Sequence, residues 1–430
     1  MIWRSAYRLL LWLAFPWALA HLWWRGRRQP GYREHIAERF GWYRTRPARP
    51  VIWLHAVSVG ETRAAEPLVR ALAARYPGHE LLLTQMTPTG RETAQQLFGD
   101  SATIVYLPYD YPSAVRRFLR RFQPRLGVLM ETEIWFNLVE ICAQRGVPLL
   151  LANARMSEKS ARGYRRVAPL ARAALGRLAA IGAQTHEDAE RLEGLGARNV
   201  EITGNLKFDV VPAPRSLALG AELRQRIGAR PVLLAASTRA GEEELVLDAL
   251  ARIRVEGLLL LLVPRHPQRF GEVALLLEKR RLSHARRSEN RAVPADCRVL
   301  LGDSMGEMAA YYAACDLAFI GGSLLPYGGQ NLIEACAAGR ALLFGPHMYN
   351  FAEASRLALA AGAAVEVADA AALALRAEAL LGDRPALARM SQAALAFGRA
   401  HQGASARNLA ICEQLLERGQ ASVGVAPNAG

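Results

Sequence analysis

The side chains best suited to chemistry sit in short segments that directly follow apolar runs. After Val51–Leu54 comes His55-Ala56-Val57-Ser58-Val59-Gly60-Glu61, a small-residue turn closing on a carboxylate. After Leu126–Met130 comes Glu131-Thr132-Glu133-Ile134-Trp135, with two carboxylates at a strand end. Carboxylates so placed are suited to general acid–base work, or else are solvated or salt-bridged. Leu149–Ala152 leads into Asn153-Ala154-Arg155-Met156-Ser157, and Val200–Thr203 into Gly204-Asn205-Leu206-Lys207-Phe208-Asp209. Leu258–Val263 is followed by Pro264-Arg265-His266-Pro267. Lys207 and Arg265 are either ordinary surface charges or partners for an anion. Further on come Gly302-Asp303-Ser304-Met305-Gly306-Glu307-Met308, Gly321-Gly322-Ser323 and Gly328-Gly329-Gln330-Asn331-Leu332-Ile333-Glu334.

Three of these segments share a spacing: Ser58 with Glu61, Ser304 with Glu307, and Asn331 with Glu334. Each places a capping residue three positions before Glu at an expected helix start. Such a pair can do no more than satisfy helix-end amides. Together they mark helix N-termini, where amides and the helix dipole attract anions.

The elements that position these residues follow from the apolar pattern. Strands are expected at Val51–Leu54, Glu80–Thr84, Thr103–Tyr106, Leu126–Met130, Leu149–Ala152, Ala179–Ala183 and Val200–Thr203. Val211-Pro212-Ala213-Pro214 reads as a linker that cannot sustain a helix. Strands resume at Val232–Ala236, Leu258–Val263, Val299–Leu301, Leu317–Ile320, Ala341–Phe344 and Ala364–Val367. Helical patterns separate them, and one long helix is expected over Arg384–Glu417. The class is therefore α/β, with two doubly wound Rossmann-like domains. Ligands bind beyond the carboxyl ends of such strands, so a cleft between the domains is the expected site. The boundaries read as an anchor at 1–28, one domain at 29–210, a second at 211–400, and a helix end with a small polar, disordered tail at 401–430.

Charge and composition narrow the function. The 430 residues carry a net charge of +15, which calls for anionic partners. Residues 1–50 hold ten Arg, two Glu and six of the eight Trp. That clustering suits a membrane interface and disfavours nucleic acid, which needs basic and aromatic residues interleaved across a folded domain. The five cysteines lie far apart and never in CxxC spacing, which argues against disulfides and zinc and for buried thiols in a reducing compartment. The apolar run Leu9–Trp24, interrupted only by His21, lies between Arg4/Arg8 and Arg25/Arg27/Arg28. It reads as an uncleaved anchor, spanning or deeply interfacial, with the globular part in the cytoplasm. No P-loop, GxGxxG after a strand, HxxxH pair or Asp-x-Asp is present. P-loop ATPase, dinucleotide oxidoreductase and metal-dependent diphosphate chemistry are thereby disfavoured.

The segments quoted above, together with Gly345-Pro346-His347-Met348-Tyr349-Asn350-Phe351, occur in an order that resembles the bacterial 3-deoxy-D-manno-octulosonic acid (Kdo) transferases, the lipid IVA Kdo transferases of lipopolysaccharide assembly. The resemblance runs across nearly the whole chain after the N-terminal segment. It implies a GT-B glycosyltransferase without a metal or other cofactor. It also implies CMP-Kdo as donor co-substrate, lipid IVA as acceptor and inner-membrane lipids as partners, on the cytoplasmic side of the inner membrane. By the same resemblance Glu61 is the general base, and Glu131 and Lys207 assist the transition state. CMP would lie against Pro264, Arg265, Gly306, Glu307, Met308, Asn331, Leu332, Ile333 and Glu334. Two other readings remain: a GT-B enzyme acting on a UDP-sugar, and a non-catalytic scaffold at a membrane surface.

Overall fold

The segment Val51–His55 shows why the apolar runs become strands. All five residues are buried, and alternate side chains enter two different cores. Val51 and Trp53 join one cluster, Ile52 and Leu54 the other. A strand covered on both faces is continuously apolar, as parallel sheets require. The computed structural model describes residues 2–209 and 212–423. The chain divides into two compact units, Met1–Asp209 with Gln402–Gly430, and Val210–His401.

The first unit contains β1 (Val51–His55), β2 (Glu80–Gln85), β3 (Ala102–Tyr106), β4 (Pro124–Met130), β5 (Leu149–Ala154), β6 (Ala180–Ala183) and β7 (Val200–Ile202). They form a parallel sheet in the order β3-β2-β1-β4-β5-β6-β7. The order reverses between β1 and β4, so their carboxyl ends flank the switch point. Gly127 on β4 lets the sheet accept the Trp53 ring, because a Cβ there would lie 2.7 Å from the indole.

The second unit contains β8 (Val232–Thr238), β9 (Leu259–Pro264), β10 (His284–Arg286), β11 (Val299–Leu301), β12 (Leu317–Ile320), β13 (Ala341–Phe344) and β14 (Ala364–Glu366). This sheet is also parallel, in the order β10-β11-β9-β8-β12-β13-β14. Here the switch point lies between β8 and β12.

Several expectations are corrected. Strand β10 was not expected, because its three residues include two basic or imidazole side chains at the sheet edge. Pro214 opens the helix Pro214–Ile227, since a first-turn residue needs no backbone N–H. Val211, in the expected linker, lies outside the described residues, as do 424–430 of the expected tail. The expected long helix is two, Arg384–Ala400 and Ala404–Val423. Between them Gly403 takes a φ of +96°, which ends one helix and admits a new start. Its amide donates to Asp209 Oδ1 at 2.6 Å, and the Ser405 amide bonds the other oxygen. The last helix then lays Ile411, Cys412, Leu415 and Leu416 against the Ile52/Leu54 face of the first sheet. Full burial of each large aliphatic side chain there stabilises by about 1.5–3 kcal/mol.

Ile2–Arg28 is a single helix. Among the described residues no helix is long and apolar enough to cross a membrane. Its inner stripe docks on the first unit. Arg4 pairs with Glu140, Arg8 bonds Asn137 at 3.2 Å, and the Leu11 carbonyl accepts from Tyr111 at 2.8 Å. The opposite stripe, including Leu10, Leu13 and Trp17, is 64–71% exposed. All five cysteines are buried and free.

Candidate active site

In the first unit Glu61 and Glu131 follow the two strands that flank the switch point, and Lys207 follows the edge strand β7. Ser58 caps the helix Val59–Arg75, and its Oγ accepts from the Glu61 amide at 3.5 Å. The Glu61 side chain folds back onto the same turn. Its Oε2 accepts from the Val57 amide at 2.8 Å and its Oε1 from the Ser58 hydroxyl at 3.2 Å. Burial pushes the Glu61 carboxyl up to about 7, although the Val57 and Ser58 bonds pull it down and the Glu131 and Glu133 charges push it further up. A base held in that range is half ionised near neutral pH and able to accept a proton.

Glu131 ends β4 in a left-handed conformation, φ +56°. This kink turns the chain out of the sheet. The Lys207 ammonium lies 3.4 Å from Glu131 Oε1, so the structure joins two of the expected site residues directly. Glu133 accepts from the Trp135 indole N–H, and burial raises its carboxyl above the usual range. His55 is fully buried with Nδ1 beside the Thr84 carbonyl and hydroxyl. Burial lowers its imidazole to about 4, so it is neutral and does not act as a cation.

Lys207 is carried on a short 3-10 turn, Leu206–Asp209. Asn153 Oδ1 accepts from the Leu206 amide at 3.0 Å, and the Asn153 carbonyl accepts from Gln184 Nε2 at 2.9 Å. Gln184 Oε1 accepts from Asn205 Nδ2, and Asn205 Oδ1 accepts from the Lys207 amide, each at 3.0 Å. Sequence reasoning noted Asn153 and Asn205 only as members of motifs and missed Gln184. The signal that could have found them is an amide residue at each of three successive strand ends.

In the second unit the expected nucleotide residues fall in three local arrangements at strand ends. Pro264 closes β9 and is buried, while Arg265 is exposed beyond it. The Arg265 amide bonds the Thr238 carbonyl at 3.0 Å. Beside it Arg239 bonds His266 Nε2 at 2.9 Å and lies over the Tyr327 ring. Burial, then the Arg239, Arg265 and Arg269 charges, push the His266 imidazole down.

After β11, Gly306 takes φ +79° and Glu307 pairs with Arg287 at 3.1 Å. Ser304 does not cap here; Glu307 occupies the cap position of the helix Met308–Ala314, and the Ser304 hydroxyl donates to Glu307 at 2.7 Å. Past β12, Asn331 Oδ1 accepts from the Ile333 amide, and its Nδ2 donates to Glu334, both at 3.0 Å. Leu332 is the cap of the short helix Ile333–Ala337, so this pair is not a capping box either. Only Ser58 of the three expected caps occupies that position, though Glu61 reaches Val57 instead of the cap amide.

Sequence reasoning noted Glu242, at the second switch point, only as the end of the segment Ser237-Thr238-Arg239-Ala240-Gly241-Glu242 after a strand, and gave it no role. It is fully buried and accepts from the amides of Gly322, Ser323, Leu324 and Arg239. A carboxylate buried among four N–H groups fixes the shape of the Gly321–Gly329 turn. Among the described residues no cluster of three or more His, Cys, Asp or Glu side chains is placed to hold a metal ion.

Comparison with known proteins places this arrangement. The 3-deoxy-D-manno-octulosonic-acid transferase (kdotransferase) family profile matches residues 34–210. The chain is 44% identical to the 3-deoxy-D-manno-octulosonic acid transferase of Bordetella pertussis, over 96% of this chain and 99% of that one. It is 37% identical to the enzyme of the same name from Haemophilus influenzae, over 97% of this chain and 100% of that one. Among solved structures, a glycosyltransferase from Rickettsia africae aligns with TM-score 0.56 at 12% identity, covering 86% of this chain and 99% of that one, a likeness of fold. Two parallel Rossmann-like sheets, glycosyltransferase-like architecture and near full-length similarity converge: the chain belongs to the 3-deoxy-D-manno-octulosonic acid transferases and is a glycosyltransferase enzyme.

Proposed function

We propose that this enzyme transfers Kdo from CMP-Kdo to lipid IVA, with Glu61 as general base and no metal ion. The carrying observation is the convergence in the first unit: Glu61 follows β1, Glu131 follows the neighbouring β4, and Lys207 is drawn to Glu131. A sugar hydroxyl is a poor nucleophile. Glu61 takes its proton as the oxygen attacks the anomeric carbon of Kdo. The bond from that carbon to the CMP phosphate oxygen breaks, and CMP leaves with the electron pair. Lys207, balanced by Glu131, supplies positive charge for the Kdo carboxylate or the departing phosphate.

CMP is held in the second unit. Arg265 faces phosphate, the Gly306 and Gly329 turns bring amides close, and Glu334 accepts from ribose hydroxyls. Gly329 supports the tight turn, since a Cβ there would lie 2.2 Å from Met348 Sδ. The N-terminal helix rests on the cytoplasmic face of the inner membrane through its exposed Trp and Leu stripe, with Arg25 and Arg27 at anionic headgroups. An acceptor that resides in that membrane gives the attachment its purpose.

The test is turnover of purified Glu61→Gln with CMP-Kdo and lipid IVA. Glutamine keeps the shape and the Val57 bond, so the variant should fold and lose on the order of 10²–10⁴ in rate. Near-normal turnover would leave Glu61 as a helix-end residue. Competition between CMP-Kdo and UDP-sugars for the wild-type protein separates this reading from a UDP-sugar enzyme.

A further inference from the structure

Lysine is a flexible four-carbon stem, and a 3-10 turn of four residues has little structure of its own to hold one. The Lys207 turn is instead held by side-chain amides from neighbouring strand ends. Asn153 near the end of β5, Gln184 after β6 and Asn205 after β7 form a chain of bonds, each 2.9–3.0 Å, that ends on the Leu206 and Lys207 amides. Asn153 and Gln184 are at most 7% exposed. Asn153 stands in left-handed backbone, φ +53°, beside Glu131 at φ +56°. The Glu131 amide bonds the Ala152 carbonyl at 3.0 Å, which ties this corner of β4 to the corner of β5. One set of contacts therefore places both members of the Lys207–Glu131 pair.

We propose that Asn153, Gln184 and Asn205 are positioning residues that hold the Lys207 ammonium against Glu131. None of them touches substrate in this reading; they act through the lysine. The inference rests on Glu61, Glu131 and Lys207 forming the reacting site. Its consequence is electrostatic. The Glu131 and Glu133 charges act on Glu61, and Lys207 lies 3.4 Å from Glu131, where its charge opposes that of the carboxylate. When the turn loosens and the ammonium drifts away, Glu131 acts on Glu61 uncompensated. Glu61 then holds its proton to higher pH.

The experiment compares Asn205→Ala, Gln184→Ala and Asn153→Ala with Lys207→Met, each also combined with Lys207→Met, over a full pH profile of kcat/KM. Lys207→Met should cost about 10²–10³-fold in kcat. Each amide variant should cost about tenfold or more, as expected of a misplaced group. The acid limb should move upward in all four single variants. Combined with Lys207→Met, the amide variants should add no further loss, because they act through the same side chain. Asn153 is fully buried and its alanine variant is at risk of misfolding; Asn205 is only partly buried, so Asn205→Ala keeps the test open. Variants with wild-type melting temperature, kcat and acid limb would overturn the proposal, as would losses that multiply with Lys207→Met. If Lys207→Met is itself silent, the site reading falls and the relay with it. If only the amide variants are silent, the relay alone falls.

Discussion

Tyr7 donates a hydrogen bond to Asp110 at 2.9 Å, joining the N-terminal helix to a residue 103 positions away. The same carboxylate accepts from the amides of Asn137 at 3.0 Å and Leu138 at 2.8 Å. Those amides open the helix Phe136–Gln144, which directly follows the segment carrying Glu131 and Glu133. The Tyr7 ring also meets Phe136 edge-on at 5.1 Å. The N-terminal helix is thus bolted to the element that supports the carboxylates of the site.

Breaking this joint should lower stability. Tyr7→Phe removes one bond to a charged acceptor, a loss of about 1.5–3 kcal/mol in urea denaturation at pH 7. Asp110→Asn should cost at least as much, because both carboxylate oxygens accept amide bonds and an amide nitrogen cannot replace either. Burial raises the Asp110 carboxyl from 3.8 to about 6, with the Asn137, Tyr7 and Leu138 bonds opposing. The part of its contribution that is linked to protonation is therefore full below about 3.8 and lost as pH rises through 6, while the hydrogen bonds remain, and the asparagine variant should lack that slope. A Tyr7→Phe protein with unchanged midpoint and slope would refute the joint.

The raised Glu61 carboxyl makes two measurements move together. Activity should rise through an acid limb near pH 7, the value to which burial brings this group. Stability should move the other way. A folded pKa above the unfolded one contributes stability below about 4.5 that is lost as pH rises through 7. Glu61→Gln should therefore gain on the order of 1–2 kcal/mol over wild type at pH 8 and nothing at pH 4, allowing for solvent around a half-buried group. Denaturation midpoints at the two pH values check this without reference to catalysis.

Membrane attachment should depend on the exposed stripe of the N-terminal helix. Trp17 is 68% and Leu13 71% exposed, whereas Leu22 on the other side is buried. Replacing Leu10, Leu13 and Trp17 with Ser should weaken sedimentation with anionic vesicles by tenfold or more, at roughly 1.5–3 kcal/mol per large side chain withdrawn from the interface. Any remaining binding through Arg25 and Arg27 should fade at high salt. Undiminished binding of the triple variant in high salt would place the attachment elsewhere.

The second unit should bind CMP independently of divalent metal. Arg265→Ala and Glu334→Ala should each weaken CMP binding in calorimetry by roughly 1.5–3 kcal/mol. Arg265→Ala should spare cytidine, having lost only a phosphate partner. Glu334→Ala should impair cytidine and CMP alike, having lost a ribose partner. EDTA should leave wild-type affinity unchanged. Metal-dependent binding would remove the metal-free proposal, and two silent variants would move the nucleotide from these loops.

Much of this protein is decided by the sequence alone. Strands buried on both faces are written as unbroken apolar runs, so Val51–Leu54, Val299–Leu301 and Leu317–Ile320 were legible at once. The turns that follow β1, β4 and β7 carry Glu61, Glu131 and Lys207, because ligand-binding groups in α/β sheets cluster after strands. Tertiary structure decided the rest. Glu131 and Lys207 are 76 residues apart and their strands, β4 and β7, are separated in the sheet by β5 and β6; only the tertiary fold brings the two charges within 3.4 Å. Asp209 restarts the last helix at Gly403 and returns it to the first unit, a bond between distant segments that no local pattern records. The base strength of Glu61 is likewise not a property of its motif: desolvation and two neighbouring carboxylates set it, and both exist only once the chain has folded around it.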